Sequence, residues 1–393
     1  MHPDSLWCSL IDIISADGCG VEYRQCFALP FGATASVYAF NRLGKAIWKC
    51  ASFFLDIICT AFFDDFPHLE PAQTQNSCRT SFTMMLDLLG IDWARGDKDK
   101  DFAPSFSPLG VVFDLSQLHT RAEVSISNKP SRIDGIEEIL LAAVSANRFT
   151  PAVASEVHGK MHFSQAQVFG RSALPAIREI GNRAHDPGKS YAVTQRLKTA
   201  FSYVIHCFRS MPPRKITACD CLPLLHVFSD GAFEDGVATW GFVIVDCSSD
   251  SRTISGGTVP HALTEAWLAV VGKQVITQVE MLAVLFARLY LGKACAGRKM
   301  VYWIDNDPAR DAYIRGHSDS DASLSILYSF FGVESQAPNF LWFSRVPSYS
   351  NVADEPSRGK AVAAALALKA VLVQFELPAS VLGSLTSCNL AHD

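Results

Sequence analysis

The sequence predicts a chain of mixed α/β and α+β class, and three stretches carry that reading. "VFSDGAFEDGVATWGFVIVD" reads as two strands joined at Glu234-Asp235-Gly236, where the Asp-Gly pair is a strong hairpin signal. "VEMLAVLFARLYLGKA" places Met281, Leu285 and Leu289 on one face of a helix. "KMVYWIDND" is a short buried strand that runs into acid. Strands bunched early, with helices alternating later, predict a mixed sheet.

The remaining elements follow in order. "FFLDIICTAFF" reads as core and ends at the adjacent acids of "AFFDDFPHLE". In "FSPLGVVFDLSQL" the alternation after Pro108 predicts a short strand and a turn. The next stretch, from Ser131, reads as helices, with Ile136, Ile139, Leu140 and Val144 forming a stripe. Thr150-Pro151 looks like an N-cap followed by proline at the first helical position. "RSMPPRKITACDCLP", residues 209–223, has three prolines and reads as a linker. Beyond the hairpin, "SLSILYSFFGVE" is a helix and "NFLWFSRVPS" a strand. "NVADEPSRGKAVAAALALKAVLVQF" begins as a turn and ends as an alanine-rich helix.

At 393 residues the chain exceeds one ordinary core, so two or three domains are expected. It is 49% hydrophobic and 19% charged, which is globular rather than disordered. Twelve cysteines without a CxxC or Cys/His ladder suggest a reducing compartment, and the pair Cys219 and Cys221 cannot form a zinc knuckle. The start lacks a basic signal-peptide region, and the longest apolar stretch, Ala51 to Phe63, is broken by Asp56. The expectation is an intracellular protein, cytoplasmic or nuclear, with no membrane partner. The net charge of −5 hides a pattern. Residues 1–120 hold 8 Lys/Arg against 14 Asp/Glu (−6), residues 121–215 hold 14 against 7 (+7), and residues 225–360 hold 11 against 15 (−4). A basic middle between acidic ends fits a phosphate-tracking segment beside metal-binding carboxylates, and chance fluctuation on a solvated surface fits the charge equally well.

Four acids occupy special places: Asp230 after the strand "HVFS", Glu280 at the opening of an apolar helix, Asp305 at the end of "MVYWI", and Asp354 where a loop turns into a helix. Taken singly, each reads as a cap, a turn residue or a surface charge. Gathered together they repel, so a cation is expected. Oxygen ligands without His or Cys suit Mg²⁺ or Mn²⁺. Two such ions roughly 4 Å apart serve phosphodiester cleavage.

"VFSDGA", "QVEMLAV", "YWIDNDPARDAYIRG" and "WFSRVPSYSNVADEPSRG" together resemble the ribonuclease H domain of retroelement reverse transcriptases, of the long-terminal-repeat and tyrosine-recombinase types. Upstream, "LPFGATASVYAFNRLGKAIW" resembles the reverse-transcriptase motif in which a Gly loop, here Phe31-Gly32, precedes a helix under the template–primer. "AFFDDFPHLE" is similar to the aspartate-pair hairpin of the palm, with Phe62 where a Tyr is common, and "SPLGVVFDL" to the strand pair that supports the primer end. The resemblance covers most of residues 20–360. It implies a partial palm at 1–120, a helical thumb and connection at 121–208, the linker at 209–223, a ribonuclease H-like mixed five-stranded sheet flanked by helices at 224–375, and a tail at 376–393. It further implies that Asp64 and Asp65 lie at a hairpin tip and help hold polymerase metal ions.

Two departures limit those implications. The family's first polymerase aspartate lies on a strand ahead of "LPFG", and Asp12 and Asp17 are the only nearby substitutes, so half a polymerase site is expected. Retroviral ribonucleases H often carry a His in the loop before the last Asp, where "VPSYSN" offers Tyr349 and Ser350. His317 reads as a surface histidine, Asn306 and Asp307 as helix caps, and Arg358 as a phosphate contact or a cap. The leading expectation is a reverse-transcriptase fragment whose intact part is a two-metal ribonuclease H. It would act on an RNA–DNA hybrid or template–primer duplex. A non-catalytic remnant that at most binds nucleic acid is the alternative, and an active polymerase would need a missing N-terminal part.

Overall fold

The computed structural model describes residues 10–15, 19–25, 33–96, 99–168, 170–185, 191–218, 223–272 and 274–386. Phe31, Gly32, Asp17, Cys219 and Cys221 lie outside them. Among the described residues no helix is long and apolar enough to cross a membrane. Contacts divide the chain into two compact units, Met1–Ala103 and Pro104–Asp393.

The first unit begins with an antiparallel ribbon of β1 (Leu10–Ile14) and β2 (Val21–Gln25). Helix α1 (Thr34–Phe54) and helix α2 (Gln75–Leu88) follow. Ile47 and Ala51 of α1 pack with Ile57, Cys78, Phe82 and Leu86 to form the core of this unit. Between the helices the chain doubles back, with isolated bridges Cys59–His68 and Phe62–Asp65. Trp48 Nε1 donates to the Cys59 carbonyl at 2.8 Å, and the His68 ring meets Phe82 edge-on at 4.4 Å, so the doubled-back segment is pinned to both helices.

The second unit starts with a four-stranded antiparallel sheet of β3 (Ser105–Phe106), β4 (Val111–Asp114), β5 (Glu123–Asn128) and β6 (Arg214–Thr217), with the short helix α3 (Leu118–Arg121) between β4 and β5. The segment read as a linker therefore contributes a strand, and the 105–114 pair belongs to this unit. Four helices intervene: α4 (Pro130–Ser145), α5 (Pro151–Gln167), α6 (Leu174–His185) and α7 (Gln195–Ser210). Thr150 caps α5, accepting from the Val153 N–H, with Pro151 at the first turn. On α4 the buried stripe is Ile133, Ile136, Leu140 and Ala143, whereas Val144 is 38% exposed. The core face of α4 therefore runs through Ala143 rather than Val144, one residue short of the expected stripe, and Ala143 lies in the core that the four helices share.

The sheet that follows holds β7 (Leu225–Glu234), β8 (Val237–Asp246), β9 (Ser251–Thr258), β10 (Lys299–Ile304), β11 (Phe340–Arg345) and β12 (Val371–Leu372). Its order is β11-β10-β7-β8-β9-β12, six strands rather than the five expected, because the chain after the alanine-rich helix pairs two residues in parallel with β9. β7, β8 and β9 form an antiparallel meander, while β10 runs parallel to both β7 and β11. The β7–β8 turn is built on Asp235 and Gly236 with φ of 49° and 80°, the mirror-image geometry that matches strand twist. Helices α8 (His261–Val271), α9 (Ile276–Leu291), α10 (Asp307–Arg315), α11 (Asp321–Gln336), α12 (Asp354–Ser357), α13 (Ala361–Leu368) and α14 (Ala379–Thr386) complete the unit. α9 is buried continuously from Gln278 to Arg288 rather than on one face, as a helix apolar all round should be. The stretch 376–393 includes α14, whose Leu385 is fully buried in this core.

Candidate metal and nuclease site

The acidic cluster is assembled by close backbone packing. Gly231 follows Asp230 on β7, and a Cβ there would fall 2.7 Å from the Glu280 nitrogen and 2.8 Å from the Val279 carbonyl carbon. Only glycine lets α9 lie this close to β7, and that contact sets Glu280 beside Asp230. β10 pairs with β7 in parallel through Trp303–Phe228, so two residues further on Asp305 comes level with Asp230. Asp230, Glu280 and Asp305 bring one carboxylate oxygen each within 4.8 Å of one another.

On the opposite face of β7 and β8 the same device seats α12. Cβ atoms on Gly241 and Gly256 would lie 2.4 Å from the Ser357 nitrogen and 2.4 Å from the Pro356 carbonyl oxygen. α12 thus rests on bare backbone, and the buried Ser357 hydroxyl donates to Asp230 Oδ2. Asn351 fixes the preceding loop: its Nδ2 donates to the Ser229 carbonyl at 3.0 Å and its Oδ1 accepts from the Ala353 N–H at 3.2 Å. Sequence reasoning missed Ser357 and Asn351. The glycines inside "TWGFV" and "ISGGT" were the available signal, since glycine within a strand marks a close backbone approach.

Asp354 stands outside the group of three. Its Oδ1 accepts from Arg358 Nε at 2.9 Å, and Arg358 Nη1 reaches Glu234 Oε1 at 2.7 Å. The field of Asp354 nevertheless reaches Asp230. Asn306 caps α10 through the Ala309 N–H at 2.9 Å, and Asp307 sits in the first turn. His317 is largely covered, with Nε2 3.5 Å from Asp319 Oδ1, and Tyr349 is exposed.

The electrostatics are those of a site built for positive charge. Asp230 and Glu280 are each only 5% exposed. Burial, with lesser contributions from Asp305 and Asp354, pushes Asp230 up to about 6 against the Ser357 hydrogen bond. Burial, then the charges of Asp230 and Asp305, push Glu280 up to about 10 against a hydrogen bond from the Gly231 backbone. Glu280 Oε2 and Asp305 Oδ1 are buried without any hydrogen-bond partner. Two orphaned carboxylate oxygens in one acidic cluster fit a hard divalent cation, and the all-oxygen donor set suits magnesium or manganese rather than zinc.

Asp64 and Asp65 lie where the first unit doubles back. The Phe62 and Asp65 backbones exchange hydrogen bonds of 2.9 and 3.0 Å, and Phe63 adopts φ 54°. Both acids are exposed, as is Asp12 on β1. Among the described residues none of the three joins a metal-binding group.

No protein-family model matches the chain, and no curated protein is similar to it. Among solved structures the chain is similar to RNase H1 of the halophilic archaeon Halobacterium salinarum, at 17% identity and a TM-score of 0.28, over 35% of this chain and 97% of that one. It is also similar to LC11 RNase H1 in complex with an RNA/DNA hybrid, at 16% identity and a TM-score of 0.25, over 36% of this chain and 98% of that one. A foamy viral protease–reverse transcriptase in complex with double-stranded DNA matches at 11% identity and a TM-score of 0.41, over 88% of this chain and 54% of that one.

Proposed function

We propose that the second unit is a divalent-metal-dependent ribonuclease H that hydrolyses the RNA strand of an RNA–DNA hybrid, within a chain derived from a retroelement reverse transcriptase. The observation that carries this reading is the convergence of Asp230, Glu280 and Asp305, with buried oxygens of two of them left without partners. The order of the motifs along the chain supports the retroelement origin. Magnesium or manganese, when bound, would supply water activation and stabilisation of charge on the leaving oxygen. Asp230, Glu280 and Asp305 would hold it. Ser357 orients the Asp230 carboxylate, and Asn351 keeps the loop that carries α12 against β7. Arg358, half-exposed between Asp354 and Glu234, is placed to meet a phosphate and so release Asp354 toward the cluster. The test is incubation with a labelled RNA–DNA hybrid. Cleavage should require Mg²⁺ or Mn²⁺, stop on chelation, and leave the DNA strand intact.

One observation favours a second reading, a non-catalytic remnant that binds nucleic acid: Asp354 is engaged by Arg358 instead of facing the other three acids. A folded protein that binds hybrid but cuts nothing with either metal would establish that reading.

A further inference from the structure

Strand β11 ends beside the acidic cluster, and the loop that leaves it crosses the cluster's edge. Arg345, the last residue of β11, pairs with Ile304, so it stands next to Asp305 on the neighbouring strand. One residue on, the Val346 N–H donates to the Ile304 carbonyl at 3.2 Å. The loop is then tied to the strand beyond: Asn351 Nδ2 donates to the carbonyl of Ser229, the residue before Asp230. Since β10 lies between β11 and β7, residues 346–351 reach from the strand of Asp305 to the strand of Asp230, across the end of the sheet where both acids sit.

Two side chains on this path face solvent. Tyr349 is 92% exposed. It sits in a single 3₁₀ turn, Ser348–Ser350, closed by the Ser350 N–H on the Pro347 carbonyl at 2.8 Å and the Asn351 N–H on the Ser348 carbonyl at 3.1 Å. A turn tethered at both ends presents the ring in one place, so little ordering entropy is lost when a ligand covers it. The Arg345 side chain is 62% exposed, and its nearest carboxylate, Asp307, lies 3.6 Å from Nε, beyond hydrogen-bond reach. Asp307 is held more closely by Arg310 Nη1, at 2.9 Å. Arg345 thus carries a weakly balanced charge. On the other flank Arg358 stands between Asp354 and Glu234, so two guanidiniums bracket the three acids.

We infer that Arg345 and Tyr349 hold the nucleic-acid backbone on the β11 flank of the cluster, Arg345 on a phosphate and the Tyr349 ring against the neighbouring sugar. The inference rests on the nuclease reading for its substrate, an RNA–DNA hybrid. Guanidinium supplies planar, charge-assisted donors for phosphate oxygens. With Arg358 on the opposite flank, the backbone is gripped at two points around the acids. Contacts to phosphate and sugar position a duplex without reading its sequence, so the grip acts alike on hybrids of any sequence.

The experiment measures hybrid affinity by fluorescence anisotropy in the Asp305→Asn background with Mg²⁺, and KM and kcat in the protein with Asp305 intact. Arg345→Gln should weaken binding about tenfold, the size of a lost charged contact, and lower the salt slope by about 1. Arg345→Lys should recover part of that loss, since it keeps the charge but not the planar fork. Tyr349→Ala should weaken binding about fivefold and Tyr349→Phe should match wild type, because the ring rather than the hydroxyl makes the contact. In cleavage both losses should appear in KM, with kcat within about twofold of wild type. Asp307→Asn tests for a merely structural role of Arg345: affinity should hold or tighten, because Arg345 loses only a competitor for the phosphate. The inference is overturned by affinities unchanged in both Arg345→Gln and Tyr349→Ala, by a kcat that falls in Arg345→Gln with KM unchanged, or by Asp307→Asn weakening binding as much as Arg345→Gln. A wild-type protein that cuts nothing, while Arg345→Gln still weakens its hybrid binding, would end the nuclease reading and uphold this contact.

Discussion

Asp305 offers the cleanest single-residue test of the proposed chemistry. Asp305→Asn keeps the side-chain shape but removes one of the charges that would hold a cation, so RNA cleavage should fall to background while hybrid affinity stays within about twofold of wild type. Cleavage that survives the substitution would locate the activity elsewhere. Asp230, Glu280 and Asp305 were legible as candidates because each sits next to a strongly apolar element, and burying a carboxylate there demands a reason. Asp354 was legible by the same pattern, yet its side chain is turned toward Arg358, a partner four residues away that local spacing does not rank above the cluster. Ser357 and Asn351 were not legible. Their partners lie 127 and 122 residues earlier in the chain, and nothing local to "SNVADEPS" distinguishes an orienting hydroxyl from a turn residue.

At the level of elements, the site depends on how closely α9 and α12 approach the sheet. Gly256→Ala would drive a methyl group into the Pro356 carbonyl, where backbone rather than a flexible side chain must yield. We expect a loss of about 1–3 kcal/mol in urea unfolding, with cleavage reduced more than the stability change explains, because α12 carries Ser357 onto Asp230. Unchanged cleavage in that variant would mean that α12 has no part in the chemistry. The β7–β8 hairpin, α9, β10, α11 and β11 were readable because their periods and turn residues agree with the fold. β6 and β12 were not: a four-residue strand after two prolines and a two-residue strand hold their places through partners distant in sequence, Glu123–Ile126 and Thr253–Ile254. α14 escaped for a related reason, since a short terminal helix declares itself only through Leu385 entering a core built by others.

At the scale of the whole molecule, charge bears first on stability. Asp246 at the end of β8 accepts from Arg298 at 2.8 and 3.2 Å and from the Ser248 N–H at 2.9 Å, which joins the strand to the turn before β10. Arg298 first, and then Ser248, hold this carboxyl well below its usual 3.8. A depressed folded pKa contributes stability that is fully present above 3.8 and is lost as pH falls toward the folded value. Asp246→Asn should therefore cost roughly 1–3 kcal/mol at neutral pH. The gap from wild type should close as the pH is lowered below about 4, and a gap that widens there would overturn the assignment.

The second consequence of charge concerns nucleic acid. Residues 121–215 carry a net +7, but not all of it faces outward unopposed. Lys160, Arg196, Arg209 and Lys215 already meet carboxylates. Lys129, Arg178 and Lys198 are exposed, and no carboxylate pairs with them among the described residues. If this segment tracks the duplex backbone, these three cations displace counterions from phosphates, and the logarithm of affinity should fall linearly with the logarithm of salt. In the non-cleaving Asp305→Asn background, replacing all three with Gln should weaken hybrid binding. The salt slope should fall by about 1 for each cation that touches a phosphate, irrespective of sequence. A slope unchanged by the triple replacement would move the duplex off this segment and leave its positive charge as surface solvation alone.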